Sequence, residues 1–192
     1  MTSIWMVARR VRRRANRGAA RNGGPAQGTR VVIASRRETA AKTALKTLTA
    51  VGDAEWVPVD VTDGKSVAGL IDMVVSTHGR LEYAFNNGGT GGTSAPVAKM
   101  FEAAWRKTID GYLSSVFLCM NAEIAAMQGI AASAIVNNAS VDGLRGYPFV
   151  CGAAYSAAKH GVIGLTRSAA LSTRRAVLAS ARCAPAGSKR RP

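Results

Sequence analysis

At 192 residues and 47% apolar, the chain is long enough for one domain with a buried core. Its longest apolar stretch, 122–136, is interrupted by Glu123, Gln128 and Ser133, so no membrane span and no membrane partner are expected. The formal charge of +15 points to nucleic acid, but its distribution argues against that: residues 1–37 carry ten Arg and no acid, residues 172–192 carry six Lys or Arg and no acid, and residues 38–171 hold all eleven acids for a net of −1. Apart from Trp5 the basic ends carry no aromatic side chain on which a base could stack, so no specific nucleic acid is expected. Cys119, Cys151 and Cys183 lack metal-ligand and redox spacing, which fits reduced thiols in a cytoplasmic protein without a metal site.

The charge pattern divides the chain into an Arg-rich segment 1–29 with a candidate first strand at 4–8, a core at 30–171 and a basic tail at 172–192. Residues 30–35, RVVIAS, are short, β-branched and bounded by Gly28 and two arginines, which predicts a strand. Residues 38–50 predict a helix with Ala41, Ala44, Leu45 and Leu48 on one stripe. Residues 56–59 predict a strand ending at Asp60, residues 66–78 a helix stopped by Gly79, and residues 81–85 the next strand. Residues 98–127 read as a long, largely helical stretch with Trp105, Ile109, Leu113, Val116, Phe117 and Met120 at the spacing of a core-facing stripe. Residues 135–140 read as a strand ending in Ser140, and residues 155–167 as a long helix.

Strands alternating with helices predict an α/β fold with a doubly wound parallel sheet and helices on both faces. Ligands of such sheets bind at the carboxyl ends of the strands. Asp60, Asn86 and Ser140 all fall at such ends and converge on one edge.

Tyr155 and Lys159 lie four apart on the last helix and share one face. An ammonium beside a phenol favours the phenolate, lowering a pKa that starts at about 10. Tyr155 is therefore a candidate acid or base for a substrate oxygen, and Ser140 a candidate hydrogen-bond partner of the same oxygen. Taken alone, YSAAK is also the pattern of a surface Tyr and Lys on an ordinary helix.

Three segments in order accompany it: Asn86-Asn87-Gly88-Gly89 after an apolar strand, IVNNAS ending at Ser140, and the helix YSAAKHGVIGLTR. Together they resemble the short-chain dehydrogenase/reductase family over about residues 28–171. The resemblance implies a Rossmann-like fold, hydride transfer between a small-molecule alcohol or carbonyl and a nicotinamide cofactor, and a homo-oligomer (dimer or tetramer) formed through the 98–127 helix. It makes Tyr155 the general acid/base, Lys159 the group that lowers its pKa and binds the nicotinamide ribose, and Ser140 the residue that positions the substrate oxygen. Asn86 matches the asparagine that supports the central strands and cofactor site. Gly88 departs from the family's alanine and loosens that turn. Tyr112 takes the place of an asparagine that completes a proton relay, which implies slower proton transfer.

Cofactor choice is read where the second strand ends. A carboxylate there would accept the adenosine ribose hydroxyls and favour NAD(H). Ser35-Arg36-Arg37 stands there instead, and a hydroxyl with two guanidiniums suits a 2′-phosphate, so NADP(H) is expected over NAD(H), with Asp60 and Val61 flanking the adenine. His160 reads as a helix-face histidine. In the loop 141–152, Leu144, Tyr147, Pro148 and Phe149 suggest an apolar substrate pocket, and Arg145 reads as a solvated charge.

Two departures qualify the match. The family's Thr-Gly-x-x-x-Gly-x-Gly loop, whose backbone N–H groups approach the cofactor diphosphate, has no counterpart before Gly28, because Gly18, Gly23 and Gly24 do not match its spacing. After Leu171 the family continues with a strand and a Pro-Gly turn, whereas this chain reads STRRAVLASARCAPAGSKRRP. These departures predict a sheet incomplete at its C-terminal edge, with residues 134–138 exposed as an aggregation-prone edge. They also support an alternative reading as a catalytically impaired relative without the cofactor loop. A changed reading frame at both ends is compatible with them: permitted codons for residues 181–191 read two bases out of frame yield a Pro-Gly segment, while no such reading restores the glycine loop at the other end.

Overall fold

The computed structural model describes residues 5–10, 29–49, 52–89, 95–145, 152–173 and 176–180. Among these, strands β1 (Trp5–Arg10), β2 (Thr29–Ala34), β3 (Asp53–Val57), β4 (Tyr83–Asn86), β5 (Ala134–Asn138) and β6 (Ala176–Ser180) form one sheet in the order β3-β2-β1-β4-β5-β6. Helices α1 (Glu38–Thr49), α2 (Gly64–His78), α3 (Glu102–Ile109), α4 (Ser115–Ala126) and α5 (Gly152–Thr173) connect and cover the strands, and a π-helical turn, Asp110–Ser114, joins α3 to α4.

Local chemistry accounts for these elements. Asp63 caps α2 by accepting hydrogen bonds from the backbone N–H of Lys65 (3.1 Å) and Ser66 (3.2 Å), and the helix closes on Gly79 as its sequence predicts. Glu38 in the first turn of α1 and Lys46 in its last turn complement the helix dipole. Alternation along β2 sends Val31 and Ile33 to one face, where they pack with Ala41, Ala44, Leu45 and Leu48 of α1. Val32 and Ala34 point to the other face, into the main core with α2, α4 and α5. Helices thus lie on both faces of the sheet.

Three expectations change. β2 and β3 run parallel, as do β4, β5 and β6, but β1 runs antiparallel to both its neighbours, with Trp5 opposite Ala34 and Arg10 opposite Thr29. A parallel β1–β2 pair needs a crossover that buries an apolar face against the sheet. The intervening sequence 11–28 offers one aliphatic side chain larger than alanine, Val11. An antiparallel return makes no such demand.

The second change is at the other end. β6 pairs with β5 along its whole length, from Ala134 opposite Ala176 to Asn138 opposite Ser180, so residues 134–138 are interior and not the exposed edge that the sequence suggested. The short apolar run AVLAS within the basic tail is enough to make a strand.

The third concerns the helical stripe at 98–127. Val116 and Met120 are buried, whereas Trp105 is 40% and Phe117 51% exposed. The buried face runs through Thr108, Tyr112, Val116, Met120 and Glu123, which leaves Trp105 and Phe117 at its margin. Among the described residues no helix is long and apolar enough to cross a membrane.

The pairing of β6 carries a direct prediction. A chain ended after Thr173 loses β6 and frees the outer row of hydrogen-bonding groups on β5. Light scattering should show that it associates at concentrations where the 192-residue chain stays dispersed. Equal dispersion of the two would contradict the pairing.

Candidate active site

The carboxyl ends of β2, β3, β4 and β5 form one edge, and the site is built there. In the parallel register of β4 and β5, Asn86 lies beside Asn137. Asn86 is buried and its Nδ2 donates to Asn137 Oδ1 (2.9 Å) and to Glu123 Oε2 (3.0 Å). Asn137 Nδ2 in turn donates to Thr166 Oγ1 (2.9 Å) and contacts Met120 Sδ (3.0 Å). One residue on, at the next position of the pleat, Asn138 Nδ2 donates to Asn87 Oδ1 at 2.6 Å. A hydrogen-bonded chain therefore runs from α4 across two strands to α5.

Helix α5 turns a stripe of Lys159, Val162, Thr166 and Ala169 inward, and Tyr155 lies one turn before Lys159 on the same side. Lys159 is 3% exposed, with Nζ donating to the Asn138 carbonyl at 2.7 Å. Burial pushes its pKa down to about 8. Nζ lies 5.6 Å from the centroid of the Tyr155 ring and 5.2 Å from that of Tyr112. The two tyrosine rings meet edge to face, 4.9 Å apart.

Ser140 caps the short 3-10 turn Val141–Gly143, its Oγ accepting a hydrogen bond from the Asp142 N–H at 3.2 Å. Gly143 seats this turn directly on α5, since a Cβ there would lie 2.7 Å from the Lys159 carbonyl oxygen. The turn that begins at Ser140 is thereby held against the helix of Tyr155 and Lys159. Of the expected pocket residues, Leu144 is exposed, while Tyr147, Pro148 and Phe149 lie outside the described residues, as do Cys151 and Cys183.

At the end of β2, Arg36 and Asp60 form an ion pair at 3.4 Å. Hydrogen bonds from the Thr62 hydroxyl and backbone N–H, with the Arg36 charge, hold the Asp60 carboxyl below its ordinary range. Ser35 is buried, its hydroxyl donating to the Arg37 carbonyl (3.3 Å) and accepting from Trp56 Nε1 (3.3 Å). Val61 is buried in the main core. His160 is exposed on α5, with Nδ1 2.9 Å from the Ser156 carbonyl oxygen.

The sequence reading missed Glu123. It is fully buried and its pKa is pushed up to about 7 by desolvation, which the hydrogen bond from Asn86 only partly offsets. Burial, with a smaller push from Glu123, also raises the Cys119 thiol. The signal was present: Glu123 continues the inward stripe Val116, Cys119, Met120 at helical spacing. A second titratable cluster, buried His78 with the exposed side chains of Glu55 and Arg30, sits at the opposite end of the sheet, where α2 ends and β2 begins.

The family model described as short chain dehydrogenase matches residues 24–189. The chain belongs to the short-chain dehydrogenase/reductase family. Among its relatives are the cyclohexanol dehydrogenase of Acinetobacter sp. (strain SE19), 36% identical over 146 residues, covering 76% of this chain and 57% of that protein, and the 3beta-hydroxysteroid dehydrogenase of Mediterraneibacter gnavus, 36% identical over 146 residues, covering 76% and 52%. Solved structures of the family superpose well. A short chain dehydrogenase from Mycobacterium smegmatis gives a TM-score of 0.69 at 31% identity over 79% of this chain and 64% of that one. A variant actinorhodin polyketide ketoreductase with NADPH gives 0.71 at 29% identity over 78% and 59%, and an NAD+-bound xylitol dehydrogenase gives 0.72 at 28% identity over 76% and 55%. The chain spans little more than half the length of the two curated relatives.

Glu123 supplies a pH prediction. Its folded pKa of about 7 lies above the ordinary 4.5, so the native state holds the proton more tightly than the unfolded chain. That stabilisation is complete at low pH and is lost as pH rises from 4.5 through 7. Glu123→Gln cannot titrate, so its stability relative to the parent should rise between pH 5 and 8 by an amount on the order of 3 kcal/mol. Denaturant unfolding at both pH values measures this difference, and parallel pH dependences would refute the buried, protonated carboxyl.

Proposed function

We propose that this edge moves a proton on and off the oxygen of a small-molecule alcohol or carbonyl, in an oxidoreductase that uses a nicotinamide dinucleotide. The observation that carries the reading is Lys159, a desolvated ammonium anchored on the Asn138 carbonyl and facing the Tyr155 ring. Tyr155 is the general acid/base. A charged Lys159 stabilises the phenolate that Tyr155 becomes on giving up its proton. The Ser140 hydroxyl accepts from the Asp142 N–H, which leaves its own hydrogen to donate to the substrate oxygen. When bound, the nicotinamide supplies or accepts the hydride that completes the redox change.

The residues fit the two ends of such a cofactor. Arg36 and Arg37 stand at the end of β2, where the adenosine ribose of a dinucleotide lies on a doubly wound sheet, with Asp60 and Val61 at the end of β3 to flank the adenine. Ser35, buried between Arg37 and Trp56, holds the turn that presents the two arginines. Asn86, Tyr155 and Lys159 would take the nicotinamide ribose end. One of the solved relatives carries NADPH and another NAD+, so the preference for NADP(H) rests on the guanidiniums, which suit a 2′-phosphate. Exposed Val97, Phe101, Trp105 and Phe117 support association of identical chains.

A second reading is favoured by β1. Because β1 is antiparallel, the turn that follows it leaves at Arg10, opposite Thr29, on the edge away from Asp60, Asn86 and Ser140. The C-terminal end of β1 is thus not delivered to the edge where Asp60, Asn86 and Ser140 converge. This supports a relative whose dinucleotide binding is impaired.

Titration with NADPH and NADH, followed by turnover on a panel of cyclic and linear ketones, separates the readings. Saturable NADPH binding with ketone reduction that falls by about 10²- to 10⁴-fold in Tyr155→Phe supports the first. A folded chain that binds neither nucleotide supports the second. In the reducing direction the rate should fall as pH rises through about 8, where Lys159 loses its charge. A rate that stays flat to pH 10 would remove Lys159 from the mechanism.

A further inference from the structure

Tyr112 stands where two irregularities of the fold meet. The π turn Asp110–Ser114 inserts an extra residue between α3 and α4 and leaves Tyr112 only 6% exposed. Opposite it, Gly89 makes room for the ring: a Cβ there would lie 2.8 Å from Cζ and 2.9 Å from Cδ1 of Tyr112. The seated ring meets Tyr155 at 89°. It is also nearer than the Tyr155 ring to the Lys159 ammonium, at 5.2 against 5.6 Å. Lys159 Nζ is therefore faced by two aromatic rings and by the Asn138 carbonyl.

We infer that Tyr112 is a positioning residue of the site, its ring roofing the Lys159 ammonium and setting the angle at which Tyr155 is held beside it. The inference rests on the roles proposed for Tyr155 and Lys159. Edge-to-face contact restrains the Tyr155 ring, and the roof keeps water from Nζ. Burial alone accounts for the lowered pKa of Lys159. The acids on neighbouring elements, Asp142 on the 3-10 turn and Glu123 on α4, do not contribute to that shift. Opening the roof should hydrate the ammonium and let it hold its proton to higher pH.

The test titrates Lys159 itself in the full chain, by the pH dependence of its acylation rate read by peptide mass spectrometry, with circular dichroism to confirm folding and ketone turnover measured in parallel. Tyr112→Ala should raise the Lys159 midpoint by about one unit or more and lower kcat by about 10- to 100-fold. Tyr112→Phe keeps the ring and should keep the midpoint. Gly89→Ala leaves Tyr112 in place chemically but displaces its ring, so it should reproduce the rise, and it decides the matter if Tyr112→Ala does not fold. The Gly89→Ala/Tyr112→Ala double variant should go no further than Tyr112→Ala alone. A folded Tyr112→Ala or Gly89→Ala chain with an unmoved midpoint overturns the inference, and so does Tyr112→Phe behaving like Tyr112→Ala. If the parent chain shows no turnover, the proposed activity fails, while the Lys159 midpoints still decide the role of Tyr112.

Discussion

The site depends on how α5 is fastened to β5. Two adjacent strand residues make the attachment: Asn138 through its carbonyl to Lys159 Nζ, and Asn137 through its side chain to Thr166. The second bond is buried and the first partly so, and a buried polar group left unpaired costs about 1–3 kcal/mol, so helix and strand have one low-energy register. That register places Tyr155, one turn before Lys159, at the carboxyl edge of the sheet. The same bonds explain why an ammonium tolerates such burial. It is hydrogen-bonded to a carbonyl and faced by two aromatic rings, although among the described residues no carboxylate pairs with it.

Behind this attachment the Asn86 amide holds β4 to β5 and to α4. Its two donations reach Asn137 and Glu123, so a single side chain ties β4 to β5 and α4, and Asn137 carries the link on to Thr166 of α5. Glu123 is the exposed weakness of the arrangement in an electrostatic sense, because its carboxyl ionises only against the low dielectric of the core. The network is thus a support whose strength changes with pH, set directly behind the candidate site.

The reversed β1 acts on the other half of the edge. It completes the hydrogen bonding of β2 and β4, which the fold needs, and its C-terminal end lies at the edge away from Asp60, Asn86 and Ser140. Any strand direction satisfies the ladder, whereas the diphosphate cradle requires a parallel strand followed by a glycine turn and a helix N-terminus.

Much was legible in the sequence because it depends on neighbours along the chain. The spacing of Tyr155 and Lys159 places them on one helical face, the alternation of β2 sorts Val31 and Ile33 from Val32 and Ala34, and Asp63 and Gly79 bound their helix by local hydrogen bonding and backbone geometry. What was not legible depends on groups distant in sequence. The direction of β1 and the capture of β6 by β5 are choices among possible strand partners, which a short apolar run does not encode by itself. Trp105 and Phe117 share the period of a buried stripe, and only the packed structure shows that the buried face centres on Thr108, Tyr112, Val116 and Met120, leaving those two at its margin while Tyr112 packs against Gly89. The sequence by itself determined that Tyr155 and Lys159 share one helical face and which helix presents them. Tertiary structure decided what surrounds those groups, because burial, ring contact and desolvation arise only when segments far apart in the chain are packed together.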